Sequence, residues 1–298
     1  MKRVATVDIG TNSVLLLIAE SSDAGWKSVL ERATVTRLGQ GVDKTGELHP
    51  DALARTSACL REYAALVRAA DVSEAIVVGT SAMRDARGGD VLRALVRAEF
   101  GVEARTLSGD EEARATFAGA TSGLGVQGAC TVFDIGGGST EFVTGDQSGI
   151  GDAHSFDVGA VRMHERHLRG DPPREEELAA LVADVNAIFA SRPVASAAVV
   201  IGVAGTVTTL CAWARGVHPY DGALVHGQRM SRDEVAEAYA QLARMPLAER
   251  QALPGLDAKR ADVIVAGAAI AVACLDFLGA RELVVSDRGV RWGLLQAL

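Results

Sequence analysis

Two short segments of the chain repeat the same chemistry. Asp8-Ile-Gly-Thr-Asn-Ser13 and Asp134-Ile-Gly-Gly-Gly-Ser139 share the pattern D-I-G-x-x-S. Glycine at a tight turn lets backbone N–H groups face an anion without side-chain obstruction. Asn12 and Ser13 add side-chain donors to the first turn. Gly137, Gly138 and Ser139 form the matching stretch of the second. The acids that end the two preceding strands, Asp8 and Asp134, can hold Mg²⁺ directly or through water, and Asp134 is the preferred ligand. One such turn alone is a common structural device. Two at corresponding places point to a duplicated phosphate-handling unit.

Two further loops have the strand–loop–helix form that presents a helix N-terminus to an anion. Gly202-Val-Ala-Gly205-Thr206 makes Gly205 and Thr206 candidate phosphate contacts, and Ser286-Asp287-Arg288-Gly289 is the second. Hydrolysis at phosphorus also needs an aligned water and a group to orient or deprotonate it. Glu111 and Glu112 are the candidates. Ser108-Gly-Asp-Glu111 carries the capping-box pattern, which commits Glu111 to the helix terminus and leaves Glu112 free to face elsewhere. The helix terminus favours the ionised form of Glu112, while a nearby phosphate opposes it. Glu141, on the return strand of the second turn, is a second acid for the water or the metal. His164 and His167 lie three apart with no third ligand at useful spacing, so no zinc site is expected. His226 reads as structural or as a cleft-edge residue.

The elements that position these residues follow from periodicity. Val4–Asp8, Val14–Ala19 and Trp26–Thr36 read as strands, and Pro50–Ala70 as a helix with Leu53, Leu60, Tyr63 and Val67 on one face. Ala75–Val78 is a short buried strand, followed by a loop GTSAMRDARGG. A helix runs from Asp90 through Phe100, and Val102–Thr106 is another strand. The helix from Ser108 to about Ala120 is a candidate domain linker. Thr131–Phe133 and Glu141–Thr144 flank the second turn. Leu178, Leu181, Val182, Val185, Ile188 and Phe189 form a clean helical stripe. Val199–Ile201 precedes the third glycine loop, and Ser231–Glu234 is a second capping box. A strongly apolar helix from about Asp257 and the strand Leu283–Val285 precede a last helix.

Length and charge bound the answer. A chain of 298 residues suits two domains. Its formal net charge of -8 excludes a broad basic surface for nucleic acid. The four cysteines are widely spaced without a CxxC, which reads as reduced thiols in a cytoplasmic protein. Met1-Lys-Arg runs straight into a strand pattern, so no signal peptide is expected. The apolar run Val263–Leu275 falls short of the roughly 20 residues a membrane span needs.

Taken together, the motifs resemble the actin-like ATPase superfamily and, within it, the exopolyphosphatase/guanosine-pentaphosphatase (Ppx/GppA) family. The resemblance runs through DIGTNS, TSAMRDA at Thr80–Ala86, SGDEEA at Ser108–Ala113, DIGGGSTE at Asp134–Glu141, GVAGTVTTL at Gly202–Leu210, LPGLDAKRAD at Leu253–Asp262 and SDRGVRWG at Ser286–Gly293. In the last motif Val290 stands where the family usually has Leu or Ile. The resemblance implies an α/β fold: two actin-like (ribonuclease H-like) domains with mixed sheets flanking a central cleft. They would cover residues 1–118 and 119–298, with the last helix returning to the first domain. It also implies Glu112 as the catalytic base and Arg84 and Arg260 as substrate contacts, since guanidinium groups grip phosphate bidentately.

The activity so implied is Mg²⁺-dependent exopolyphosphatase, with K⁺ as a stimulating cation. Its alternatives are hydrolysis of guanosine pentaphosphate, an actin-like sugar or acid kinase, and a non-catalytic nucleotide-binding regulator. The expected partners are inorganic polyphosphate or guanosine pentaphosphate, in a homodimer without nucleic acid or membrane. Longer members of the family carry a further C-terminal helical region. This chain ends soon after the closing motif, so short substrates and distributive action are expected.

Overall fold

The computed structural model describes residues 2–23 and 25–298. The first half contributes strands β1 (Arg3–Ile9), β2 (Ser13–Ser22), β3 (Gly25–Val35), β4 (Glu74–Gly79) and β5 (Arg105–Thr106). Between them lie helices α1 (Val42–Thr45), α2 (Pro50–Ala69), α3 (Ser81–Asp85) and α4 (Asp90–Phe100). Helix α5 (Gly109–Thr121) leads into β6 (Cys130–Ile135), β7 (Thr140–Asp146) and β8 (Gly149–Phe156). Then come α6 (Ala160–His167), α7 (Glu175–Ala190), β9 (Val199–Val203), α8 (Ala204–Ala214), α9 (Gly222–Val225) and β10 (Arg229–Ser231). Helices α10 (Arg232–Arg244), α11 (Leu247–Gln251) and α12 (Ile264–Leu278), strand β11 (Glu282–Val285) and α13 (Val290–Gln296) complete the chain.

The two sheets are copies of one plan. The first has the order β3-β2-β1-β4-β5, and the second repeats it as β8-β7-β6-β9-β11 with β10 added at the edge. In each, three strands run antiparallel and the sheet continues from the first of them with parallel strands. The two D-I-G turns join corresponding strand pairs. They close with the same backbone bond, Gly10 N–H to Ser13 O at 3.0 Å and Gly136 N–H to Ser139 O at 2.9 Å. This is the duplicated ribonuclease H-like architecture with a cleft between its halves.

Burial explains the sequence pattern. The central strands β1 and β2 are covered on both faces, so they read as near-continuous apolar runs. Strand β3 is an edge and alternates, with Lys27, Glu31 and Arg32 guarding it. Helix α12 is apolar on every side because α6, α7, α8 and α10 pack around it. It begins at Ile264 rather than near Asp257. The segment before it forms turns that carry Lys259 and Arg260 toward the first domain. The loop GTSAMRDARGG contains α3, and strand β5 is only Arg105–Thr106. Both capping boxes form, at Ser108–Glu111 and at Ser231–Glu234. Among the described residues, no helix is long and apolar enough to cross a membrane.

Helices α5 and α13 bind the halves together. Residue 118 lies inside α5, which is continuous and covers part of the second sheet. Helix α13 packs on α5 and on β1 and β2, seating Trp292 and Leu295 against Val4 and Leu17. The α5–α13 crossing is made by glycine. A Cβ on Gly119 would lie 2.0 Å from Gly289 O, and one on Gly293 would lie 1.7 Å from Ala115 O. Helix propensity alone would make Gly293→Ala stabilising by about 1 kcal/mol. The obstructing atom is backbone and cannot swing aside, so the sign reverses. Gly293→Ala should lower stability by about 1–3 kcal/mol, the usual cost of overpacking. Urea unfolding checks this, and an unchanged or raised midpoint would contradict so tight a crossing.

Candidate active site

The cleft between the sheets has a volume of about 570 Å³. Asp8, Asn12 and Ser13 line it from the first turn, and Asp134, Gly137, Gly138 and Ser139 from the second. Gly205, Thr206 and Arg260 line it from the second domain, and Glu112 from α5. Arg84 and Glu141 do not line it. Each instead touches residues that do.

The turns meet across the cleft floor. A Cβ on Gly137 would lie 3.0 Å from Thr11 Cβ, and one on Gly138 would lie 2.5 Å from Ser81 Oγ. Glycine is required there because the first domain presses on the turn. Among the described residues, the N–H groups of Thr11, Asn12, Gly137 and Gly138 have no acceptor. Four free donors at touching turns make an anion cradle. At the third loop, Ala204 has a φ of 70°, a left-handed conformation that alanine adopts at a cost. Beside it the Arg260 guanidinium lies so close to Gly205 that a Cβ would meet Nη1 at 1.7 Å. Arg260 donates to Ser13 Oγ across the cleft at 3.3 Å. Among the described residues it has no ion pair, which leaves its charge available to an anion.

Behind the turns four carboxyls are gathered. The register of the second hairpin sets Asp134 opposite Glu141, an unfavourable like-charge pair unless one is neutral or compensated. Glu141 is 1% exposed and accepts from Ser155 Oγ at 2.7 Å. Thr116, one turn after Glu112 on α5, donates to Asp134 Oδ2 at 3.3 Å. Burial raises Asp134 to about 8, helped by the charges of Glu141 and Asp8. Burial also raises Asp8 to about 6. Glu112 is pushed well above the usual carboxylate range by burial and then by Glu141, and Arg84 opposes the shift. Glu141 is raised by burial too.

Arg84 is the guanidinium that answers this cluster. Its Nη1 donates to Glu112 Oε2 at 2.9 Å and to Leu107 O at 3.1 Å. The resemblance implies a phosphate contact for Arg84, and in the structure its guanidinium also orients Glu112. Glu111 caps the helix, accepting from Ser108 N–H at 2.9 Å, and hydrogen bonds hold it below the ordinary carboxylate value. The two adjacent glutamates thus have opposite environments.

The donor set fits a hard divalent cation. Asp8 Oδ1 is buried and has no hydrogen-bond partner among the described residues. Its neighbours are carboxyls that repel one another. No group of three His, Cys, Asp or Glu side chains among the described residues is arranged to hold a metal alone. Such a site suits an ion bound through one or two carboxylates that brings water and substrate oxygens as its other ligands. His167 pairs with Asp184 at 2.7 Å and His164 is largely enclosed. His226 bonds the Ser286–Asp287 backbone and hydroxyl outside the cleft.

Several residues of the site escape a sequence reading. Thr116 has a readable signal, since i, i+4 on a helix shares a face. Tyr220 and Arg291 line the cleft with no spacing rule to join them, whereas Asp287 belongs to the Ser286–Gly289 loop that the sequence marks.

A duplicated sheet whose paired turns present free backbone donors above buried carboxyls defines a two-domain α/β protein of the ribonuclease H-like plan. Within that class the chain belongs to the Ppx/GppA phosphatase family, whose model matches residues 17–298. It is 36% identical to Exopolyphosphatase 2 of Mycobacterium tuberculosis, over 100% of this chain and 99% of that one. Among solved structures, an exopolyphosphatase-like protein aligns with a TM-score of 0.92 and 33% identity over 99% of this chain and 97% of that one. The Ppx/GppA phosphatase of Aquifex aeolicus, in its type II variant, aligns with a TM-score of 0.79 and 32% identity, covering 100% and 99%.

The carboxyl cluster makes stability depend on pH. A carboxyl whose folded value lies above its unfolded value binds more protons in the folded state, so stability falls as pH rises between the two. For Asp134 that window runs from 3.8 to about 8. Metal-free protein should therefore lose stability between pH 5 and pH 8. Asp134→Asn should remove much of that loss and exceed the parent at pH 8 by at least about 1 kcal/mol, less than one pKa unit's worth. Urea unfolding in chelator at both pH values measures it. Parallel pH dependences in parent and variant would contradict the buried cluster.

Proposed function

We propose that the protein is an exopolyphosphatase that removes the terminal phosphate of short inorganic polyphosphates. The observation that carries this reading is Glu112: buried on the cleft wall, oriented by Arg84, and facing the two anion turns. The terminal phosphate seats against the free N–H groups of Thr11, Asn12, Gly137 and Gly138. Arg260 and Ser13 hold the next part of the chain. A water attacks phosphorus in line; its oxygen bonds to phosphorus as the bridging P–O bond breaks. Glu112 takes the water's proton, and the bond's electron pair leaves on the shortened chain. A base raised above the ordinary carboxylate range is better matched to this task at neutral pH.

Mg²⁺ fits beside Asp8 and Asp134, where it would neutralise charge on the reacting phosphate oxygens. Six carboxylates but only three arginines line the cleft, so a polyanion enters favourably only with cations. Hydrolysis of guanosine pentaphosphate is the alternative. Pro219, Tyr220 and Leu256 give the cleft a partly apolar wall against which a purine would fit.

Phosphate release from tripolyphosphate, guanosine pentaphosphate and ATP in parallel decides between these readings. Glu112→Gln should lower kcat by about 10²–10⁴-fold with little change in substrate binding. Glu111→Gln should cost far less, since Gln also serves in a capping box. Equal losses from the two changes would overturn the assignment of Glu112.

A further inference from the structure

The strand order of the second sheet lays the cleft out in a line. Strands β6, β9 and β11 are neighbours, and each ends at the cleft: β6 at Asp134, β9 at Ala204–Thr206, β11 at Ser286–Asp287. At the usual strand spacing the β11 end stands about 10 Å from the β6 end. A polyphosphate with its terminal unit at Asp134 therefore passes Gly205 and Arg260 and then meets Asp287.

Asp287 cannot turn away. The Tyr220 hydroxyl donates to its Oδ1. The backbone of Gly222 closes on its other side so tightly that a Cβ there would meet Oδ2 at 2.1 Å. Glu31 of β3 lies within reach of its charge from the facing domain, where it pairs with Arg291. Two of the nearby arginines are engaged by the protein itself. Arg291 is held by Leu16 O at 2.8 Å and by Glu31 at 3.4 Å. Arg288 points elsewhere, donating to Ser122 O at 3.2 Å and stacking 4.2 Å over Trp292.

We propose that Asp287, fixed by Tyr220 and Gly222, is the specificity residue that limits how long a polyphosphate the cleft accepts. This rests on the exopolyphosphatase reading. A short chain ends before Asp287 or reaches it with one unit. A long chain must carry further negative charge past a fixed carboxylate, with Arg260 already engaged by the units nearer the terminus.

The test compares kcat/KM for long-chain polyphosphate with kcat/KM for tripolyphosphate. Asp287→Asn should raise the long-to-short ratio about fivefold, the effect of one unit charge at close range in water-like surroundings. In the unaltered protein the ratio should also rise with added salt, because screening weakens a repulsion felt mainly by the long chain. That second measurement does not depend on any variant folding. A ratio unchanged or lowered in Asp287→Asn would overturn the proposal, as would a folded variant inactive on both substrates. So would a ratio that falls with salt in the unaltered protein, the mark of an attractive basic track. If the unaltered protein releases no phosphate from either polyphosphate, the exopolyphosphatase reading itself fails.

Discussion

Four carboxyls are held together away from water, and the rest of the site is arranged around that repulsion. Asp8 and Asp134 end the first strand of each sheet, Glu141 stands opposite Asp134, and Glu112 comes down from α5. Left alone, such a group takes up protons rather than remain charged, and burial is the largest reason in every case. Local donors set a gradient across it. Arg84 holds Glu112, Ser155 holds Glu141, Thr116 touches Asp134, and Asp8 Oδ1 has no partner among the described residues. The least compensated acids are those at the strand ends, beside the anion cradle. In the proposed function, a cation arriving with a phosphate would resolve the repulsion and replace protons there. The cluster is thus poorly suited to structure for its own sake and well suited to a transient, charge-rich complex.

Close approach without side chains is the second condition. Gly137 and Gly138 let the second turn touch Thr11 and Ser81, which brings two sets of free N–H groups to one place. Gly119 and Gly293 do the same for the helices that join the halves. Charge pairs join the two domains: Arg37 with Asp262 at 2.6 Å, and Asp43 with both Arg162 and Arg166. Glu112 on α5 and the free N–H groups at the turns therefore belong to one closed arrangement, although they come from distant parts of the chain.

How much of this is legible in the sequence depends on whether chemistry or direction is being asked. The paired D-I-G turns are legible because a tight turn that must also face an anion admits few residues. The capping box separates Glu111 from Glu112 because one glutamate is needed at the helix terminus. The pairing of Asp134 with Glu141 could be counted from a hairpin closing at Gly136–Ser139. Other features leave no such trace. Arg84 advertises a guanidinium but not that it faces Glu112. Ala204 has the composition of an ordinary helix residue while adopting a left-handed φ of 70°. Strand β8 carries Gly149 and Gly151, which weaken its strand signal, and α6 is short and mostly polar. Tyr220 and Asp287 meet only because the loops after α8 and β11 end at the same side of the cleft.

The central claim is that buried carboxyls carry protons near neutral pH and give them up to a cation at the phosphate site. Infrared difference spectroscopy of the metal-free protein observes it directly, through the C=O stretch of protonated carboxyl groups. The account predicts such a band at pH 7, where Asp134, raised to about 8, is still largely protonated. The band should fade on addition of Mg²⁺ with pyrophosphate and be much weaker in Asp134→Asn. Fully ionised carboxylates at pH 7, indifferent to Mg²⁺ with pyrophosphate, would contradict it.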